Sequence, residues 1–135
     1  DMEGEGKKPS LQRVLSIHRR KTGALLAVAV RLPAVLAGAT PSVTKALDRY
    51  GRDAGLAFQI VDDVLNETGD AKSLGKAVGS DKERGKMTYP AAVGLDASKR
   101  EILRLTQSAM RALTPLGPKA EPLRALARHM ASRTV

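Results

Sequence analysis

Apolar positions recur along this chain at spacings of three and four, the period of an α-helix, and no convincing strand alternation interrupts them. Leu11, Val14, Leu15 and Ile17 fall close to one face, and the helix they predict begins near Pro9, since proline is favoured in a first turn. A second apolar segment runs from about Thr22 to Leu36. Pro33 within it removes a backbone donor and predicts a kink or an end, and Gly38 marks a stop. Thr40-Pro41 reads as a cap followed by a first helical residue, opening a long helix from Pro41 to about Glu67 that Gly69 ends. Gly51 and Gly55 inside it each cost roughly 1 kcal/mol relative to Ala, which predicts that something packs closely there. Residues 69–88 are glycine-rich and charged and read as a long loop with at most one short helical turn. Asp96 is the predicted cap of a helix reaching about Leu113, which Pro115 and Gly117 end. A last helix is predicted from about Ala120 to Ala131. The expected fold class is all-α, in one domain.

Composition supports this pattern. The chain has 135 residues, of which 42% are hydrophobic but only 2% aromatic, so Ala, Leu and Val must supply the core. Small aliphatic side chains suit helices packed closely on helices better than a sandwich or barrel. With no cysteine, a thiolate metal site is excluded. His18 and His129 lack metal-ligand spacing and read as surface or satisfied polar residues, so any metal here is a hard cation held by oxygen. The apolar stretch from Ala24 to Ala39 is broken by Arg31 and Pro33 and is shorter than the roughly 20 residues of a membrane span. No signal peptide is visible, and a cytoplasmic location follows by default. Position 1 is Asp1 rather than Met, which predicts a fragment or a cleaved product.

A net charge of +9 points to a polyanionic partner: nucleic acid, anionic lipid or a phosphorylated small molecule. Nucleic acid is disfavoured, because RNP aromatics, zinc-finger spacing and basic-zipper heptads are all missing. Only Phe58, Tyr50 and Tyr89 could stack on a base. Lys72, Lys82, Arg84 and the arginines after Arg100 read as solvated charges on loops and helix faces.

The stretch FQIVDDVLN, residues 58–66, carries the chemistry. Gln59, Asp62, Asp63 and Asn66 place oxygen-bearing side chains along one side of a helix, while Ile60, Val61, Val64 and Leu65 supply the apolar side. At ~5 Å and an effective dielectric of ~20, two carboxylates repel by roughly 3 kcal/mol. A divalent cation reverses that sign, and Mg²⁺ typically takes one or two carboxylates together with substrate phosphates. A bare Asp-Asp pair more often merely solvates a helix face. Here, however, the pair is flanked by apolar residues and followed by a basic glycine-rich loop with Lys76, Asp81 and Lys86. Upstream, the basic cluster from His18 to Thr22 stands at a helix interruption.

The segments HRRKTGALL, GLAFQIVDDVLNETGD, SLGKAVGSD and GKMTYP occur in this order. Together they resemble the C-terminal half of trans-prenyl diphosphate synthases, the farnesyl and geranylgeranyl diphosphate synthases, with the bacterial farnesyl type most similar. The resemblance implies the C-terminal half of an isoprenoid-synthase helical bundle around a deep cavity, with the N-terminal half absent. Two aspartate-rich motifs on opposite walls would hold Mg²⁺ ions, which bind the diphosphate of an allylic substrate for condensation with isopentenyl diphosphate. It further implies that Asp62 and Asp63 are metal ligands, Asp62 the more direct, with Asn66 and Asp81 as further candidates. Lys21, Lys76 and Lys86 would hold the allylic diphosphate, and Lys21, Thr22 and Gln59 would act beside the developing carbocation. The family's second motif reads DDxxD, whereas Asn66 stands at its last position here. The first motif and the isopentenyl diphosphate site lie N-terminal to anything in this chain. The expectation is therefore a short-chain, Mg²⁺-dependent prenyltransferase as parent enzyme, working as a homodimer or with its missing half, with the isolated fragment inactive. The alternative is a non-catalytic fragment or subunit that binds metal-diphosphate and needs a partner chain.

Overall fold

Among the described residues, three side-chain caps set the starts of helices. Ser10, Thr40 and Thr88 adopt extended backbone conformations, and their hydroxyl oxygens accept from the N–H groups of Arg13, Val43 and Ala91. Each satisfies one backbone donor that a first turn leaves unpaired. The structure is a computed structural model, and it describes residues 10–69 and 87–134.

The described helices are α1 (Leu11–His18), α2 (Ala24–Leu36), α3 (Pro41–Thr68), α4 (Tyr89–Val93), α5 (Leu95–Ala112) and α6 (Glu121–Ser132). A widened π turn, Arg19–Gly23, joins α1 to α2, and a 3₁₀ segment, Thr114–Ala120, joins α5 to α6. The described residues contain no strand, and the fold class is all-α. No described helix is long and apolar enough to cross a membrane.

Several boundaries differ from expectation. Ser10, not Pro9, opens α1. Helix α2 runs through Pro33 rather than kinking or ending there. Pro33 lies in the last turn on an exposed face, where water can satisfy the carbonyl it leaves without a donor. The stop comes at Gly38, whose φ of 72° favours glycine. There the Ala39 and Gly38 N–H groups close back onto the Ala34 and Val35 carbonyls at 2.9 and 3.1 Å. Gly94, with φ of 91°, caps α5 in place of Asp96, which sits inside the first turn where a carboxylate favours the helix dipole. Helix α4 was not anticipated.

Helix α3 is the spine. The α1–π–α2 strut runs antiparallel along it, pairing His18 with Asp63, Gly23 with Gly55, Ala27 with Gly51 and Arg31 with Asp48. Helix α5 also runs antiparallel to it. Ser108 Oγ donates to Asp53 at 2.6 Å, and Ile102 and Leu105 pack with Ile60, Val61 and Val64. Helix α6 runs parallel to it, bringing Leu123 to Tyr50 and Arg133 to Asp62. Two apolar clusters result. One gathers Val14, Tyr89 and Ala131 around Ile60, Val61 and Val64. The other gathers Ala34, Ala109, Leu113 and Ala127 around Leu47, Tyr50 and Ala54.

Candidate functional site

The site grows from the C-terminal third of α3. Isoleucine and valine at positions 60, 61 and 64 are essentially inaccessible, and this fixes the helix's rotation. Asp62 and Asp63 then flank the buried face on opposite sides, about 100° apart. Asp63 turns towards α1 and Asp62 towards α6.

Asp63 Oδ2 accepts two hydrogen bonds, from His18 Nε2 at 2.7 Å and from the Tyr89 backbone N–H at 2.8 Å. His18 is only 4% exposed, and this contact satisfies its Nε2. Asp62 lies in a different setting. Its carboxylate side chain is 47% exposed, and Oδ1 stands 3.5 Å from an Arg133 guanidinium nitrogen. Partial burial raises the Asp62 carboxyl from its ordinary value and the charge of Asp63 adds to the rise, while Arg133 and His18 pull it down. Arg133 also lies over the Phe58 ring, 6.0 Å from its centroid, one turn below Asp62. Asn66, one turn above, is exposed.

Lys21 and Thr22 fall within the π turn, a break between helices, as their position predicts. Lys21 has φ −80° and ψ −107°, so its carbonyl is turned about 65° from the helical ψ of about −42°. Such widened turns often mark functional positions in helices. The antiparallel register, with His18 beside Asp63 and Gly23 beside Gly55, sets Lys21 and Thr22 level with the Gln59 turn of α3. Gln59 is half-buried and Lys21 exposed. An open groove of about 370 Å³ adjoins the break, lined by Gln12, Leu15, Ser16, Arg19 and Arg20. Lys76, Asp81 and Lys86 lie outside the described residues.

Among the described residues, no group of three or more His, Asp or Glu side chains is gathered that could hold a metal alone. The donor set nonetheless fits Mg²⁺ bound as one wall of a shared site. Asp62 offers a half-exposed carboxylate and Asn66 a carbonyl oxygen one turn on, and phosphate oxygens commonly supply the remaining ligands.

The reading of the late arginines as solvated faces needs correction at Arg124, whereas Arg133 is exposed but also reaches another element. Arg133 reaches Asp62 and Phe58. Arg124 donates to the Gly117 and Leu113 carbonyls at 3.0 and 3.2 Å, closing the 3₁₀ segment. Neither was legible from spacing, because a helix-face pattern does not reveal which wet residue meets another element.

The Polyprenyl synthetase family profile matches residues 1–114. Farnesyl diphosphate synthase of Escherichia coli (strain K12) is 40% identical, the alignment covering 98% of this chain and 46% of that protein. Geranylgeranyl pyrophosphate synthase 11, chloroplastic, of Arabidopsis thaliana is also 40% identical, over 98% of this chain and 38% of its own length. Among solved structures, geranyltransferase from Helicobacter pylori complexed with magnesium and isoprenyl diphosphate superposes with a TM-score of 0.71 at 25% identity. That match covers 99% of this chain and 44% of the other. The chain thus spans less than half the length of each of these relatives.

Proposed function

The chain belongs to the polyprenyl synthetase family, and from that premise we propose that it supplies one wall of a prenyltransferase site. The reaction condenses an allylic diphosphate with isopentenyl diphosphate in isoprenoid biosynthesis. The observation that carries this reading is that the Lys21–Thr22 break packs on the aspartate-bearing helix α3, backbone to backbone at Gly23 and Gly55. A half-exposed carboxylate on α3 stands on the same strut-and-spine assembly as a helix break that presents a lysine and a turned carbonyl. A diphosphate site needs both signs of charge, whereas a nucleic-acid surface has no use for the carboxylate. The relative complexed with magnesium and isoprenyl diphosphate supports the same choice of ligand.

Asp62 is the carboxylate that would hold Mg²⁺, and Asn66 would contribute a neutral oxygen nearby. When bound, the metal supplies the Lewis acidity that makes diphosphate a leaving group. Lys21, with Lys76 and Lys86 of the 69–88 segment, neutralises charge as it grows on the departing oxygens. The allylic C–O bond breaks and diphosphate departs with the electron pair. The double bond of isopentenyl diphosphate then forms the new C–C bond, and a proton is lost. The Thr22 hydroxyl, the Gln59 amide and the Lys21 carbonyl direct oxygen dipoles towards the positive charge that develops.

Assay of the full-length protein with allylic diphosphate, isopentenyl diphosphate and Mg²⁺ tests the reading. Product that depends on Mg²⁺ and on Lys21 is expected. Turnover that survives Lys21→Ala undiminished would remove the diphosphate role of the break.

A further inference from the structure

We propose that His18 is a positioning residue for the aspartate pair: its Nε2–H holds Asp63 as a structural anchor and leaves Asp62 as the carboxylate presented to metal. The proposal deepens the Mg²⁺-diphosphate reading and rests on it.

A carboxylate oxygen carries two lone-pair sites. Both sites on Asp63 Oδ2 are taken, by His18 Nε2 at 2.7 Å and by Tyr89 N–H at 2.8 Å. That oxygen therefore has nothing left for a cation. Asp63 is also the less accessible of the pair, its side chain 15% exposed against 47% for Asp62. Two adjacent aspartates of one motif thus hold different posts.

The donors on Asp63 come from far apart in the chain, 45 residues away for His18 and 26 for Tyr89. His18 is the last residue of α1, immediately before the π turn and three before Lys21. Tyr89 is the first residue of α4, where the chain returns after the 70–86 segment that carries Lys76 and Lys86. One carboxylate oxygen therefore ties the end of α1, at the helix break, and the start of α4 to the aspartate helix.

The second ring nitrogen strengthens the case. Among the described residues, His18 Nδ1 is buried and has no hydrogen-bond partner. A buried polar atom without a partner is unfavourable, and each instance calls for an explanation. Leucine or phenylalanine would fill the same space without that penalty. The imidazole is explained by what its other nitrogen does for Asp63. In metal sites, partners that orient ligands from outside typically change metal affinity ~10–100-fold when removed.

The test is Mn²⁺ binding by the full-length protein in the presence of inorganic pyrophosphate, read from the electron paramagnetic resonance signal of free Mn²⁺. The thermal midpoint of each variant is followed alongside. His18→Phe keeps the volume and loses the donor, and is expected to weaken Mn²⁺ binding by ~10–100-fold. His18→Gln sets an amide N–H near the Nε2 position and should restore binding to within a few-fold. Asp63→Asn keeps an acceptor oxygen and should bind far better than Asp62→Asn. If His18→Phe does not fold, His18→Asn, whose amide stops short of Asp63, replaces it. Normal binding in the folded donor-less variant, beside a defective Asp62→Asn, overturns the proposal alone. So does an Asp63→Asn variant as defective as Asp62→Asn. Unchanged binding in Asp62→Asn overturns the metal reading and the proposal with it.

Discussion

A methyl group placed on Gly51 would lie 2.6 Å from the Cα of Ala27, and one on Gly55 would lie 2.9 Å from the Cα of Gly23. The strut and the spine touch through backbone at both points. Neither neighbouring atom belongs to a flexible side chain, so a substitution must push the helices apart. Helix propensity alone favours Gly51→Ala by about 1 kcal/mol. Overpacking typically costs about 1–3 kcal/mol, and here it wins. Gly51→Ala is expected to lower the urea midpoint, with circular dichroism as the measure, and a rise in the midpoint would contradict the close packing. Because Gly55 faces the π turn itself, Gly55→Ala should additionally raise KM for the allylic substrate.

Asp62→Ala in the full-length protein should lower kcat by ~10²-fold or more. Metal-ion charge stabilisation contributes several kcal/mol in the transition state, and each ~1.4 kcal/mol is a tenfold change in rate. Asn66→Asp is expected to be mild or beneficial. The exposed position tolerates the charge, and a second carboxylate one turn from Asp62 adds attraction for Mg²⁺. Steady-state kinetics against Mg²⁺ concentration measures both. A near-normal rate in Asp62→Ala would contradict the metal assignment.

What could be read from the sequence divides along physical lines. Helix α3 was legible almost to the residue, because its signals are local: the Thr40-Pro41 start, the Gly69 end and a long apolar period between them. The close approach at Gly51 and Gly55 was legible too, since glycine in a helix interior needs a reason. Helix α4 was missed because five residues are too few to show a period, although Thr88 and Pro90 carried the signature of a start. The separate posts of Asp62 and Asp63 were out of reach. Adjacent residues on a helix always diverge, but which partner meets each depends on contacts 45 and 71 residues distant. His18 reads from the sequence as a surface or satisfied polar residue; it is buried, and among the described residues only its Nε2 is satisfied, by a motif carboxylate 45 residues away.

The alkaline limit of the fold should be set by its two tyrosines. Burial pushes both phenols above their ordinary value, and the charge of Glu101 adds to this for Tyr89. A raised value in the folded state means that the neutral phenol favours folding. That contribution is fully present below the unfolded pKa of about 10 and is lost as pH rises through the folded value. With no tryptophan in the chain, absorbance near 295 nm reports tyrosinate alone. Tyrosinate absorbance and loss of far-ultraviolet ellipticity should therefore rise together above pH ~10. Tyr50→Phe also removes the 2.7 Å bond to the Leu123 carbonyl and should cost about 1 kcal/mol at neutral pH. Full tyrosine ionisation with ellipticity unchanged would contradict the burial argument.

Helix α2 bears the last prediction. Its sequence, ALLAVAVRLPAVL, is apolar nearly all round, a composition that ordinarily belongs to a helix covered on every side. Among the described residues it is covered on one side only. Ala27 and Ala34 are buried, while Leu25, Val28, Leu32, Val35 and Leu36 are between 51% and 78% exposed. Spacings of three, four and three residues place Leu25, Val28, Leu32 and Val35 along one stripe, which Leu36, four residues after Leu32, extends. Fully burying an aliphatic side chain of this size is worth roughly 1.5–3 kcal/mol. Even partial cover of the stripe outweighs the ~0–1 kcal/mol contributed by surface ion pairs such as Arg52–Asp48. The 135-residue chain on its own should therefore self-associate through α2. Sedimentation velocity over two decades of concentration should show a weight-average mass that rises with loading. The paired substitution Val28→Glu and Leu32→Lys should abolish the rise. It should leave helicity intact, because both side chains point away from α3 and an i, i+4 Glu–Lys pair suits an exposed helix face. A chain that stays monomeric throughout without the substitutions would show that the stripe attracts no partner.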